Sequence, residues 1–195
     1  MTQTERNEQF EDICRRIREQ MDSGRCVVAI DGRCGSGKST LADRLARACG
    51  GRVVRADDFF LRPEQRTPER LAEPGGNLDR ERMKAEVIDC LGAGRLEYTP
   101  YDCQTQAFAG PVELEPSRLT IVEGSYSMHP YFGRYYDLGI FVTADLKTRL
   151  ARIGARPVHN NVEMFRQRWI PLEERYLEAY GIEARAEILV DTSGS

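Results

Sequence analysis

Gly32-Arg33-Cys34-Gly35-Ser36-Gly37-Lys38-Ser39 follows the spacing G-x-x-x-x-G-K-[ST], and its flanks decide how it is read. Ahead of it runs Cys26-Val27-Val28-Ala29-Ile30, an apolar, β-branched run with the signature of a buried strand. Behind it, Thr40 to Cys49 carries Leu41, Leu45 and Ala48 at helical spacing and stops at Gly50-Gly51. Strand, glycine loop and helix together make an anion cradle. The glycines let successive N–H groups converge, and the helix N-terminus adds the positive end of its dipole. The stretch reads as a phosphate-binding P-loop comprising Gly32, Arg33, Cys34, Gly35, Ser36, Gly37, Lys38, Ser39 and Thr40. Lys38 is placed to reach the β- and γ-phosphates of ATP, and the Ser39 hydroxyl to ligate Mg²⁺.

Working outward, an amphipathic helix with Phe10, Ile13, Ile17 and Met21 on one face leads into the first strand. Arg52 to Ala56 reads as a second strand, ending at Asp57-Asp58-Phe59-Phe60-Leu61. Arg62 to Asn77, with Pro63, Pro68, Pro74 and Gly75-Gly76, reads as a loop. Leu78-Asp79 opens a helical pattern through Met83, Val87, Ile88 and Leu91, closed by Gly92 and Gly94. Residues 95–116 read as a hairpin or extended excursion. Leu119–Val122, Leu138–Val142 and Ala186–Val190 are three more apolar strands. Between the last two lie a helix from Asp145 to Ile153, with Thr143 as its expected cap, and a long helix from Asn161 to Tyr180 expected to kink at Pro171. Five strands alternating with helices predict an α/β P-loop NTPase fold: one domain over 1–195, built on a five-stranded parallel sheet. Ligands then belong at the carboxyl ends of the strands.

Composition narrows the function classes. The 195 residues carry 28 basic and 31 acidic side chains, a net charge of −3, which gives no footprint for nucleic acid or a membrane surface. No apolar run approaches the ~18 residues of a membrane span. The polar N-terminus has no signal-peptide core, so a cytoplasmic location is expected. Cys14, Cys26, Cys34, Cys49, Cys90 and Cys103 form no C-x-x-C pair and suggest neither a zinc site nor a disulfide framework. Cys26 and Cys49 read as packing residues. Cys34 reads as an inert filler of the loop, the alternative being a thiol acidified by surrounding N–H groups. His129 reads as a turn residue before Pro130, and His159 as a loop residue.

The acids at strand ends acquire meaning from the fold. Glu123, after the third strand, is the candidate Mg²⁺ ligand, and an acid after strand two could accept the proton of an attacking hydroxyl. Arg149, Arg152 and Arg156 fall at spacings of three and four, on one helix face just before Pro157, as a lid closing over a transferred phosphoryl group requires. The N-K-x-D guanine signature and an L-S-G-G-Q-type signature are both missing. A small-molecule kinase remains, with a nucleotide-binding regulatory protein as the alternative class.

The residues Ile30 to Thr40, Asp57-Asp58-Phe59-Phe60, Asn77-Leu78-Asp79, Pro100-Tyr101-Asp102 and Ile121-Val122-Glu123-Gly124, with Arg152 and Arg156, resemble the uridine kinase family. That family sits within a wider group with phosphoribulokinase and bacterial pantothenate kinase. The resemblance implies that Asp57 is the general base on a nucleoside 5′-hydroxyl. It implies that Asp79 holds the sugar hydroxyls and that Tyr101 lines the nucleoside pocket. Glu123 would be the acid on the metal side, and Arg152 and Arg156 the lid arginines. It also implies ATP and Mg²⁺ as cofactors and an assembly of several copies. Gln106 and Phe108 stand where the family has a base-contacting histidine and arginine, and Phe60 stands for the usual Tyr. The acceptor is therefore expected to be a nucleoside, or alternatively another metabolite such as a sugar or a pantothenate-like molecule.

Overall fold

The computed structural model describes residues 2–158 and 160–194, so His159 lies outside the described residues. The first half of the chain forms α1 (Gln3–Asp22), β1 (Cys26–Gly32), α2 (Lys38–Cys49), β2 (Arg52–Arg55), α3 (Pro68–Ala72) and α4 (Arg80–Glu86). Four short strands follow: β3 (Leu96–Tyr98), β4 (Tyr101–Asp102), β5 (Ala107–Phe108) and β6 (Val112–Leu114). The chain then returns to the main sheet with β7 (Leu119–Glu123) and β8 (Leu138–Thr143). It closes through α5 (Leu146–Gly154), α6 (Val162–Met164), α7 (Ile170–Tyr180), α8 (Ile182–Arg185) and β9 (Ile188–Asp191).

The five-stranded sheet has the order β2-β7-β1-β8-β9, and every pairing is parallel. Parallel strands need crossover helices on both faces, so their residues are buried on both sides. Val28, Ile30, Ile121 and Ile140 pack with Ile13, Ile17, Leu41 and Leu45 from α1 and α2. On the other face Ala29, Val54, Val122 and Phe141 pack with Met83, Tyr176, Leu177 and Ile182 from α4, α7 and α8. Residues 95–116 form two nested antiparallel ladders, β3 with β6 and β4 with β5.

Several local expectations give way to better local chemistry. The 62–77 stretch is not all loop. Thr67 caps α3 by accepting the Arg70 N–H at 3.2 Å, and Pro68 occupies a first-turn position where its missing N–H costs nothing. Helix α4 stops at Glu86 because Val87, at φ −122°, leaves helical geometry, and a 3-10 turn over Ile88–Cys90 takes the place of the expected last turn. The cap of α5 is Asp145, which accepts the Thr148 N–H at 2.8 Å, while Thr143 ends β8. The helix expected to kink at Pro171 runs as α6, a π-turn over Phe165–Trp169, and α7. Met164, Trp169 and Ile170 all keep helical dihedrals, so the π-turn absorbs the proline without a break. α8 was not expected at all.

Candidate active site

The P-loop needs glycine where it touches the sheet and α5. A Cβ on Gly32, at φ +136°, would stand 2.0 Å from the Val142 carbonyl oxygen, and one on Gly35, at φ +73°, 2.7 Å from that of Arg149. Among the described residues, the N–H groups of Gly35, Gly37, Lys38, Ser39 and Thr40 find no acceptor, as expected for the first turn of α2 and the loop before it. Arg33 and Cys34 depart from the phosphate-binding set. The Arg33 N–H bonds the Val142 carbonyl at 3.1 Å, and its guanidinium turns away to Glu174 at 3.0 Å and Glu183 at 3.1 Å. The Cys34 N–H is taken by Glu173. The Cys34 thiol is pushed up to about 12, by burial first and then by the Glu173 carboxylate, so it is not acidified.

Lys38 is buried. Its Nζ donates to the carbonyls of Gly32 at 2.7 Å and Arg33 at 3.0 Å and to Ser125 Oγ at 3.2 Å. Glu123, at the end of β7, accepts a hydrogen bond from Ser39 and another from Arg55 Nη1 at 2.9 Å. Its carboxyl is held above the usual carboxylate range, chiefly by burial and next by the charge of Asp57. Ser39 and Glu123 thus present two hard oxygen donors side by side. That donor set fits Mg²⁺, which keeps waters and shares its ligands with substrate phosphates rather than needing a full protein cage. Accordingly, no group of three or more His, Cys, Asp or Glu able to hold a metal occurs among the described residues.

Asp57 lies in the 3-10 turn Ala56–Phe59 that follows β2, exposed and without an ion-pair partner among the described residues. Its charge acts on Glu123 on one side and on Cys103 on the other. Asp58 instead turns inward, accepts the Tyr98 hydroxyl at 3.1 Å and is raised by burial. Asp79 is brought beside this turn by backbone pairing. Phe60 bridges Leu78, and the Asp79 N–H bonds the Phe59 carbonyl at 2.7 Å. The Asp79 carboxylate caps α4 through the Arg82 N–H at 3.1 Å, accepts Gln65 Nε2 at 2.9 Å, and borders a cleft of about 400 Å³ lined also by Leu61, Gln65, Arg70 and Glu81.

The β4–β5 hairpin supplies an aromatic wall. Tyr101 is buried, with its ring edge-on to Phe108 at 5.7 Å, and its hydroxyl has no partner among the described residues. Phe108 is exposed and lies under the guanidinium groups of Arg62 at 5.8 Å and Arg82 at 5.1 Å. Gln106 occupies the exposed turn tip at φ +54°, so it is Phe108 rather than Gln106 that meets these arginines. Arg66 donates to the Leu61 carbonyl and approaches Cys103 Sγ at 3.6 Å. Among the described residues it forms no ion pair.

Arg149 and Arg152 of α5, with Arg156 just beyond its C-terminus, do not form one solvated lid face. Arg149 is buried between Glu173 at 3.4 Å and Glu174 at 3.2 Å, and donates to the Cys34 carbonyl at 2.9 Å. Arg152 lies against the P-loop, 3.3 Å from the Gly35 carbonyl, and bonds Thr192. Arg156 alone is near the helix end, over the Phe165 ring at 5.7 Å.

Three residues that the sequence reading did not single out, Asp31, Ser125 and Glu173, shape the loop together with Arg149. Asp31 is fully buried and accepts the N–H groups of Gly32, Tyr126 and Met128 and the Tyr176 hydroxyl, tying β1, the segment after β7 and α7 together. Burial holds its carboxyl above the usual range. Ser125, Arg149 and Glu173 complete the support. Glu173 did leave a signal in the sequence: it falls in the stripe Trp169, Glu173, Tyr176, Tyr180, an acid on an otherwise aromatic face.

The family described as AAA domain (AAA_18) matches residues 28–168. The chain belongs to that family. This AAA domain is similar to a cytidylate kinase from Pyrobaculum aerophilum, at 27% identity over 180 residues covering 86% of the chain and 84% of that protein. Its fold is similar to a structure described as a possible uridine kinase from Bacillus stearothermophilus. That likeness has a TM-score of 0.74 at 23% identity, covering 96% and 100% of the two chains. It is also similar to a structure from Silicibacter sp. TM1040 whose assignment as a fructose transport system kinase is itself provisional. There the TM-score is 0.72 at 26% identity, with 92% and 98% covered. The α/β P-loop NTPase fold read from the sequence is the fold of this AAA domain. No helix among the described residues is long and apolar enough to cross a membrane.

Proposed function

We propose that the chain is an ATP- and Mg²⁺-dependent phosphotransferase acting on a hydroxyl of a small acceptor, in the first place a nucleoside. The observation that carries this is the position of Asp57. An exposed carboxylate with no ion pair among the described residues lies close enough for its charge to act both on Glu123, on the metal side, and on Cys103, on the acceptor side. A protein that only bound nucleotide would have no use for an acid there. In this reading the N–H groups of Gly35 and of Gly37 to Thr40, with the Lys38 ammonium, bind the phosphates. Ser39 and Glu123 hold Mg²⁺, which when bound neutralises phosphate charge. Asp57 takes the proton from the acceptor hydroxyl, and Asp79 orients the acceptor's hydroxyls from the cap of α4. Tyr101 and Phe108 supply the wall against which a flat or apolar part of the acceptor packs. Arg152, close to Gly35, stabilises charge at the phosphoryl group, and Arg156 helps exclude water.

A second reading is favoured by Arg66. A guanidinium with no ion pair among the described residues, beside Cys103 of the hairpin whose Phe108 lies under Arg62 and Arg82, suits an acceptor that also carries a carboxylate or phosphate. ADP release measured with ATP and Mg²⁺ over nucleosides, pentoses, pantothenate and their phosphorylated counterparts separates the two. Turnover on uridine or cytidine supports the nucleoside reading, and turnover only on anionic acceptors supports the second. Nucleotide binding with no transfer to any acceptor supports a regulatory protein instead.

A further inference from the structure

Glu173 lies on α7, away from the acceptor cleft, yet it is one of the most completely engaged groups near the P-loop. It is 3% exposed, and both carboxylate oxygens accept the Cys34 N–H, at 2.9 and 2.8 Å. It also accepts the Ser125 hydroxyl. That hydroxyl has a single proton, and giving it to Glu173 leaves the oxygen's lone pairs for the Lys38 ammonium, 3.2 Å away. From the other side, Arg149 donates to the Cys34 carbonyl at 2.9 Å and pairs with Glu173 at 3.4 Å. The Cys34 peptide is therefore held at its N–H by Glu173 and at its C=O by Arg149.

This grip has a mechanical consequence. α7 continues backwards with helical dihedrals through the π-turn into α6, the segment that follows Arg156 and Pro157. Residues 161–169 are thus joined by a continuous helix to the carboxylate that holds the loop. To reach a nucleotide, Lys38 must give up the carbonyls of Gly32 and Arg33, and Ser125 is the contact it can keep while it turns. We propose that Glu173 is a positioning residue for nucleotide binding: through Cys34 and Ser125 it sets the loop and the Lys38 ammonium, and it couples them to the 161–169 segment. This rests on the reading of the P-loop as a nucleotide site, and on nothing about the acceptor.

The test is titration of the full chain with a fluorescent ATP analogue and Mg²⁺, together with hydrogen exchange of residues 161–169 with and without nucleotide. Glu173→Gln keeps the shape and removes the charge, and Ser125→Ala removes the link to Lys38. Each is expected to raise Kd about tenfold, the size of one charge-assisted hydrogen bond, and to abolish the nucleotide-induced protection of 161–169 expected in the parent, whose absence there would overturn the coupling. The double variant should bind no worse than the weaker single one, because both break the same chain of contacts. Parent-like affinity and protection in Glu173→Gln would overturn the proposal, even with a lowered melting temperature, since that pattern belongs to a purely structural brace. Additive losses would overturn it as well. If Glu173→Gln does not fold, Ser125→Ala decides alone by the same readings. A parent that binds nucleotide but transfers to no acceptor defeats the kinase reading and leaves this one standing.

Discussion

Replacing Arg149 by Met separates a buried clamp from a solvated lid arginine. In the structure the Arg149 side chain is 4% exposed and faces Glu173, whose side chain is 3% exposed. Removing one member of such a pair strands a buried charge, at a cost of about 3–5 kcal/mol. Two features push the figure to the lower end. Glu173 keeps the Cys34 N–H and the Ser125 hydroxyl, and Glu174, the second partner, is 30% exposed and rehydrates readily. Met also fills most of the space. We therefore expect a loss of about 3 kcal/mol, which for a chain of this size lowers Tm by roughly 6–12 °C. Thermal unfolding followed by circular dichroism measures it. Adding Glu173→Gln to Arg149→Met should recover part of the loss, because the stranded charge is gone. A drop below about 2 °C would mean that Arg149 is solvated and that the clamp on Cys34 does not exist.

Gly32→Ala should cost several kcal/mol or prevent folding, since its Cβ would overlap the Val142 carbonyl at 2.0 Å; the urea midpoint reads this directly. Glu123→Gln should leave nucleotide bound but raise the Mg²⁺ concentration needed for half-maximal turnover several-fold, measured by Mg²⁺ titration, because the Ser39 hydroxyl would stand beside a neutral amide. Burial holds His129 down at about 4 against an ordinary value near 6.5. Above that ordinary value the imidazole is neutral folded or unfolded and adds no pH dependence. As pH falls from about 6.5 towards 4 the unfolded chain takes up the proton first, and stability falls by up to about 3 kcal/mol. A His129→Gln variant should lose that slope in urea titrations at pH 7 and pH 5. The slope is best read as a difference from the parent, because burial raises Asp31, Asp58 and Glu123 and they shift stability in the opposite sense.

How legible the molecule was in its sequence varies with what each element is buried against. β1, β7 and β8 lie inside a parallel sheet covered on both faces, so they had to be continuous apolar runs, and those runs were plain to see. The Gly32–Thr40 loop was legible because its spacing serves a single geometry. α3 was hidden because its start is Thr67-Pro68, and proline at a first helical turn looks the same as proline in a loop. Thr143 and Asp145 are both good caps, and only the position of Thr148 relative to the end of β8 decides between them. The π-turn has no residue signature, and Pro171 pointed to a kink that the extra residue removed. The arginines of α5 share spacing and charge, but what each meets depends on where α7 and Thr192 come to lie, which local sequence does not encode. Gln106 and Phe108 sit two residues apart on a hairpin, so which of them meets Arg62 and Arg82 turns on the register of β4 against β5.

The central claim is transfer with Asp57 as the base, and the most direct measurement is ADP release by the parent and by Asp57→Asn over the same acceptor panel, alongside ATP affinity for each. The account predicts turnover on at least one hydroxyl acceptor by the parent. It predicts a fall in kcat of about 10²–10⁴-fold in the variant, with ATP affinity nearly unchanged. Equal turnover in the two proteins would contradict the role of Asp57, and a parent that binds ATP and Mg²⁺ without transfer to any acceptor would contradict the kinase reading itself.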